Sequence, residues 1–186
     1  MERISKSKLF RGLVLAFVVA VSGFALSACG ANHEEKTGIV EGEPVHLGHL
    51  EYNVLFTRPL NPNDVEDAEY LVGQKPAGPD QMYIGVFVKI HNTSEDESAT
   101  IPDEFQIETT AKRRYTNIPS DSIYALEPGV KLEPQDNIPE IDSTPQVGPI
   151  QASMLLYLID RESAEQRPVV LIIEGEDGPA TVELDL

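Results

Sequence analysis

Met82-Tyr83-Ile84-Gly85-Val86-Phe87-Val88-Lys89-Ile90 alternates with a period of two. Met82, Ile84, Val86, Val88 and Ile90 share one face, and Tyr83, Gly85, Phe87 and Lys89 the other, because successive side chains of an extended chain point to opposite sides. The stretch predicts a β-strand, and the same period recurs outward from it. In residues 50–56 the even positions are apolar (Leu50, Tyr52, Val54, Phe56). Phe105 and Ile107 alternate with Glu104, Gln106 and Glu108, and Val182, Leu184 and Leu186 with Thr181, Glu183 and Asp185. Residues 154–159 and 169–173 are apolar on both faces, as a central strand should be. With residues 114–118 and 122–126 the total is seven or eight short strands separated by turn signals. That pattern predicts an all-β fold, an antiparallel β-sandwich.

One short helix is expected in the first long connection, residues 59–81. Asn63 with Glu66 three residues on resembles a capping box, Asp64 and Asp67 favour the positive helix end, and Gly73 can stop the helix. Val65, Ala68 and Leu71 or Val72 would face inward.

The chain has 186 residues, 31 acidic against 14 basic, a formal charge of −17, one cysteine and no tryptophan. Such acidity repels a phosphate backbone, so general nucleic-acid binding is excluded. A single cysteine excludes an internal disulfide and a cysteine-ligated zinc site. The charge favours cationic partners and repels an anionic lipid surface.

Residues 1–28 read as a targeting segment. Arg3, Lys6, Lys8 and Arg11 precede a run from Gly12 to Ala28 in which every residue is apolar or small. Leu26-Ser27-Ala28-Cys29 resembles a bacterial lipobox. The resemblance implies a thioether-linked diacylglycerol on Cys29, cleavage before it, and acyl chains such as palmitate that hold the product on a membrane. The protein would then face outside the cytoplasm, on the cell membrane. Gly30 rather than Asp follows Cys29, which in a two-membrane bacterium allows passage to the outer membrane. Residues 29–45 are expected to be the lipidated cysteine and a flexible tether, with Gly30, Gly38, Gly42 and Pro44 and no apolar period. Extended at ~3.3 Å per residue, residues 30–45 would reach about 50 Å. Residues 46–186 would form the folded domain.

Residues 83–94, ending in Asn92-Thr93-Ser94, resemble the strand-then-N-x-S signature of the telokin-like immunoglobulin-like domains carried by bacterial lipoproteins. Leu126-Glu127-Pro128-Gly129 resembles the L-x-P-G turn of those domains. The resemblance covers roughly residues 50–186 and implies an immunoglobulin-like sandwich outside the cytoplasm, in a family of unknown function. The chain departs from the family in Thr109-Thr110-Ala111-Lys112, where a glycine-containing hairpin is usual, and in a long insertion after Pro128.

Four groups of residues are candidates for a site. His46, His49 and His91 could suggest copper handling, but positions 46 and 49 point to opposite faces of a strand unless Gly48 bends it. Asp64, Glu66 and Asp67, and Glu95, Asp96 and Glu97, are acidic clusters without the spacing of an EF-hand calcium loop. Lys112-Arg113-Arg114 is either a hairpin tip satisfying nearby acids or a contact for an acidic partner. The connections 59–81 and 127–149 are long enough to be binding loops, with Tyr124, Leu132, Ile138 and Ile141 as apolar anchors; otherwise they wrap over the sheets. No Gly-x-Ser-x-Gly elbow, phosphate loop or His-Glu-x-x-His occurs. The expected function is a lipid-anchored, non-catalytic binding or scaffolding module with an envelope protein partner and no cofactor. The alternative is a metal-handling (copper or calcium) envelope lipoprotein.

Overall fold

A computed structural model describes residues 35–186. Its elements, in chain order, begin with β1 (Lys36–Val40), β2 (Pro44–Leu47), β3 (Leu50–Leu60), α1 (Val65–Ala68) and β4 (Gln81–Asn92). Four short strands follow: β5 (Ala99–Thr100), β6 (Gln106–Glu108), β7 (Arg114–Thr116) and β8 (Lys131–Leu132). The chain then forms β9 (Asn137–Ile138), α2 (Thr144–Val147), β10 (Ser153–Asp160), α3 (Arg161–Ala164), β11 (Val169–Ile173) and β12 (Ala180–Leu184). One large sheet runs β1-β12-β11-β6-β7; a second runs β10-β4-β3-β2, with β9 also paired to β4; β5 and β8 form a small two-stranded sheet. The fold is an all-β sandwich. Among the described residues no helix is long and apolar enough to cross a membrane.

The inner core follows from the alternation. Ile84, Val86, Val88 and Ile90 of β4 pack with Tyr52 and Val54 of β3 against Phe105, Ile107, Leu171, Ile173 and Val182 of the other sheet. Each of these is buried to 1% exposure or less, and each such side chain contributes about 1.5–3 kcal/mol on burial. Tyr52 and Phe105 meet edge to face with ring centroids 6.4 Å apart. The period in β3 breaks at a bulge between Val54 and Phe56. The extra residue flips the phase, so Phe56 turns outward onto Phe87, stacked at 4.6 Å, and Thr57 turns inward opposite Val86.

The outer face of the β3–β4–β10 sheet is divided in two. At one end Tyr83, Phe87, Leu60, Met154 and Leu156 form a second apolar cluster, roofed by Tyr70 and Leu71 from the first long connection and by Tyr124. A Cβ at Gly85 would lie 3.1 Å from Phe87 and 3.2 Å from Leu60 and Met154, so the roofed end has no room for a side chain there. At the other end the outward positions of β4 are Lys89 and His91, and the roof stops.

Several expectations change. Residues 36–45, expected in a flexible tether, form β1 and the start of β2, because β1 closes the sheet edge in parallel with β12 and Ile39 packs on the core. Residues 122–126 make only single contacts with the edge of β10, Met154 N donating to Tyr124 O and Leu126 N to Met154 O. The apolar strand β10 is therefore not central: it ends its sheet, and residues 118–126 cover its edge. In α1 the cap is Asp64, whose carboxylate accepts from Glu66 N, rather than Asn63. Val65 is 86% exposed and Asp67 is buried instead. The helix turns this way because Asp67 pairs with Arg58 and accepts a hydrogen bond from Asn61 N.

The two turn motifs have physical work in this fold. Asn92 is fully buried at the end of β4, and its Nδ2 donates to the carbonyls of Glu97, Leu132 and Glu133 while its Oδ1 accepts from Ser94 N. One side chain thus ties β4 to the two loops beside it. Gly129 takes φ +74°, and a Cβ there would meet Asp103 at 2.6 Å, so the L-x-P-G turn requires glycine.

Candidate functional site

Antiparallel pairing sets Asn53 directly opposite Lys89, and Glu51 directly opposite His91. The row continues through neighbouring strands, with His46 opposite Glu51 and Asn137 opposite His91. These residues point to the outer face, since their neighbours Tyr52, Val54, Val88 and Ile90 point to the core. Asn53, Lys89, Glu51 and His91 are thus the floor of a groove of about 400 Å³, walled by Ile138, Pro139, Ile141 and Gln146 from the long proline-rich connection and by Gln151 just beyond it. That is within the usual range for small-ligand sites.

The polar groups of the floor are unevenly satisfied. Glu51 turns toward His46, Oε2 to Nε2 at 3.2 Å, and His91 Nδ1 lies 3.2 Å from the carbonyl of Asp136. Lys89 has no ion-pair partner among the described residues, although acids outnumber bases by more than two to one. Asn53 Oδ1 is buried without a hydrogen-bond partner. Leaving such an acceptor unmatched costs about 1–3 kcal/mol.

The other candidate residues are placed differently. Tyr124 and Leu132 are 7% and 4% exposed, so neither is an exposed anchor: Tyr124 roofs the outer cluster and Leu132 lies in the inner core. Burial, then Glu69, raises the Tyr124 phenol above its ordinary pKa. Ile138 is half-buried in β9, pairing with Ile90, while Ile141 is 64% exposed at the groove wall.

Lys112, Arg113 and Arg114 form the β6–β7 hairpin tip. Lys112 takes φ +62°, a left-handed conformation that favours glycine. Lys112 and Arg114 both bond Glu108 at 2.7 Å, and Arg113 bonds Asp160 at 2.7 Å. Tyr115 donates to the same Asp160 carboxylate at 2.9 Å. The three cations therefore satisfy acids of their own domain. The hydrogen bond from Lys112, then that from Arg114, holds the Glu108 carboxyl below the ordinary glutamate range against the opposing effect of burial.

The histidines do not converge. His46 faces Glu51, His49 pairs with Glu97 at 2.8 Å, and His91 faces a backbone carbonyl. Of the acidic clusters, Asp64 caps α1, Asp67 holds Arg58, and Glu97 holds His49. Among the described residues no three His, Cys, Asp or Glu side chains are placed to hold a metal ion. Cys29 lies outside the described residues.

By its two packed sheets the chain belongs to the class of all-β sandwiches. Solved structures similar to it include an uncharacterized β-sandwich protein (CD630_09570) from Clostridium difficile 630, with a TM-score of 0.48 at 13% identity, covering 82% of this chain and 95% of that one. The yjhA protein from Bacillus subtilis has a TM-score of 0.49 at 16% identity, covering 79% and 99%. A Bacillus subtilis subsp. subtilis str. 168 protein described as a "putative lipoprotein (ycdA)" has a TM-score of 0.50 at 14% identity, covering 78% of this chain and 38% of that one. No family model matches the chain, and no curated protein matches it in sequence.

Proposed function

We propose that the chain is a lipid-anchored, non-catalytic binding module outside the cytoplasm, held to the membrane through Cys29 and receiving an envelope protein partner at the β3–β4 groove. The observation that carries the binding reading is Lys89, a cation without an ion-pair partner among the described residues, on the floor of an open groove with an apolar wall of Ile138, Pro139 and Ile141. Such a groove holds a ligand by charge and apolar contact. The anchor rests on Leu26-Ser27-Ala28-Cys29 after an apolar run. In the same reading the domain belongs with the telokin-like immunoglobulin-like domains of bacterial lipoproteins.

Photo-crosslinking in native membranes tests this. A crosslinker at Ile141 is expected to trap one defined partner, and Lys89→Glu to abolish the product while Lys112→Gln leaves it. Equal crosslinking by all three proteins would contradict the reading.

A further inference from the structure

The ionisable side chains that line the groove are Glu51, Lys89 and His91. His46, Glu51, His91 and Asn137 are successive cross-strand partners over β2, β3, β4 and β9. Lys89 lies two residues from His91 on the same face of β4, about 7 Å along the strand. This row assigns the ring nitrogens. The Asp136 carbonyl can only accept, so His91 Nδ1, 3.2 Å from it, carries the hydrogen. In the neutral ring Nε2 is then an acceptor; on protonation it becomes a second donor and the ring a cation. His46 turns Nε2 to Glu51 Oε2 at 3.2 Å, so its protonation sets a positive charge against the one carboxylate lining the groove. The other nearby acids are turned elsewhere. The Asp136 carboxylate accepts from Glu133 N, and Glu140 and Asp142 of the wall connection are exposed and do not line the groove.

We infer that the groove takes an acidic, partly apolar segment of a protein partner and holds it more tightly as pH falls, with His91 as the group that turns the floor cationic. Imidazole is the side chain that ordinarily changes charge between about pH 8 and 5. With both rings neutral, Lys89 stands against Glu51. With both protonated, Lys89, His46 and His91 stand against Glu51 alone. Charge complementarity therefore selects the sign of the segment: Lys89 has no ion-pair partner among the described residues, and acid adds charge of the same sign beside it. Lys89 and His91 are half-buried, where charges are screened less than on an open surface. Ile138, Pro139 and Ile141 on the wall meet the apolar side chains of the segment. The inference rests on the groove being the recognition site.

Calorimetry on the full chain in detergent, at about pH 7.5 and about pH 5.5, tests it with two probes. One is the N-acetylated peptide amide Asp-Leu-Asp-Leu-Asp, whose carboxylates stay ionised at both pH values because aspartate ordinarily titrates near pH ~3.9. The other is its uncharged counterpart Asn-Leu-Asn-Leu-Asn. The acidic peptide is expected to bind about tenfold more tightly at the lower pH, as one added charge at this distance implies, and the counterpart to show no such gain. Lys89→Gln should weaken the acidic peptide about tenfold at both pH values. His91→Gln should reduce the pH ratio to about twofold or less, whereas His49→Gln, whose ring pairs with Glu97 outside the groove, should keep it. Melting temperatures at both pH values show that each variant is folded. No binding of the acidic peptide at the lower pH, equal affinity at both, an equally tight counterpart, or an undiminished ratio in His91→Gln would overturn the inference. If any of these occurs while crosslinking at Ile141 still depends on Lys89, the acid-strengthened site fails and the binding groove stands. If crosslinking does not depend on Lys89 either, both fail.

Discussion

Thr57 shows how one residue of slippage in a strand changes what a side chain must do. The bulge before it turns its hydroxyl into the inner core, where Oγ1 is buried without a hydrogen-bond partner. A valine keeps the shape and removes the unsatisfied group. Thr57→Val is expected to raise stability by about 1 kcal/mol, read as a higher denaturation midpoint with unchanged slope. Glu108 makes the opposite case, because its charge is wanted. Its carboxyl is held below the ordinary glutamate range by Lys112 and Arg114, so its contribution is present above the unfolded-state pKa and is lost as pH falls through the lowered folded value. The melting-temperature gap between wild type and Glu108→Gln should be constant above about pH 5 and close as pH falls below about 4. A gap that widens on acidification would contradict this assignment.

Among elements, the long connections decide the most. The 127–149 connection supplies Leu132 to the inner core and β9 to the edge of β4. It is structural along much of its length and bounds the groove only around residues 138–146. Leu132→Ala should cost about 3 kcal/mol through the cavity it leaves, and excision of the connection should unfold the domain, both visible in thermal melts. An unchanged melt for Leu132→Ala would show that the connection does not close the core. The period-two strands were legible in the sequence because burial on one face writes itself into alternation, as in Ile84, Val86, Val88 and Ile90. The roof over Phe87 was not, because Tyr124 reads alike whether it seals its own sheet or awaits a partner. The bulge in β3 was also hidden, since Phe56 continues the apolar period that the chain breaks. Most of the groove was missed for a related reason. Asn53 and Lys89 lie far apart in sequence and are unremarkable singly; only the β3–β4 register makes them neighbours. Of the groove, the sequence pointed only to Ile138 and Ile141, as apolar anchors, and to His91, as a possible metal ligand.

For the whole molecule, β1 is a parallel edge strand of the described sandwich. Lys36 donates to the carbonyls of Pro179, through its backbone N, and of His46, through Nζ. Removal of residues 1–35 should leave the melting temperature unchanged. Removal through residue 43 should lower it by roughly 10 °C, reflecting about 3 kcal/mol of lost packing of Ile39 and of strand hydrogen bonds. Equal melting of the two truncations would show that β1 is not part of the cooperative unit. In the proposed function the anchor at Cys29 carries the compartment in which the groove would meet a partner. Intact-mass and peptide mass spectrometry of the protein from its native membrane addresses the anchor directly. The account predicts an N-terminal peptide that begins at Cys29 and carries a diacylglycerol thioether; a chain that retains Met1, or carries an unmodified Cys29 thiol, would contradict it.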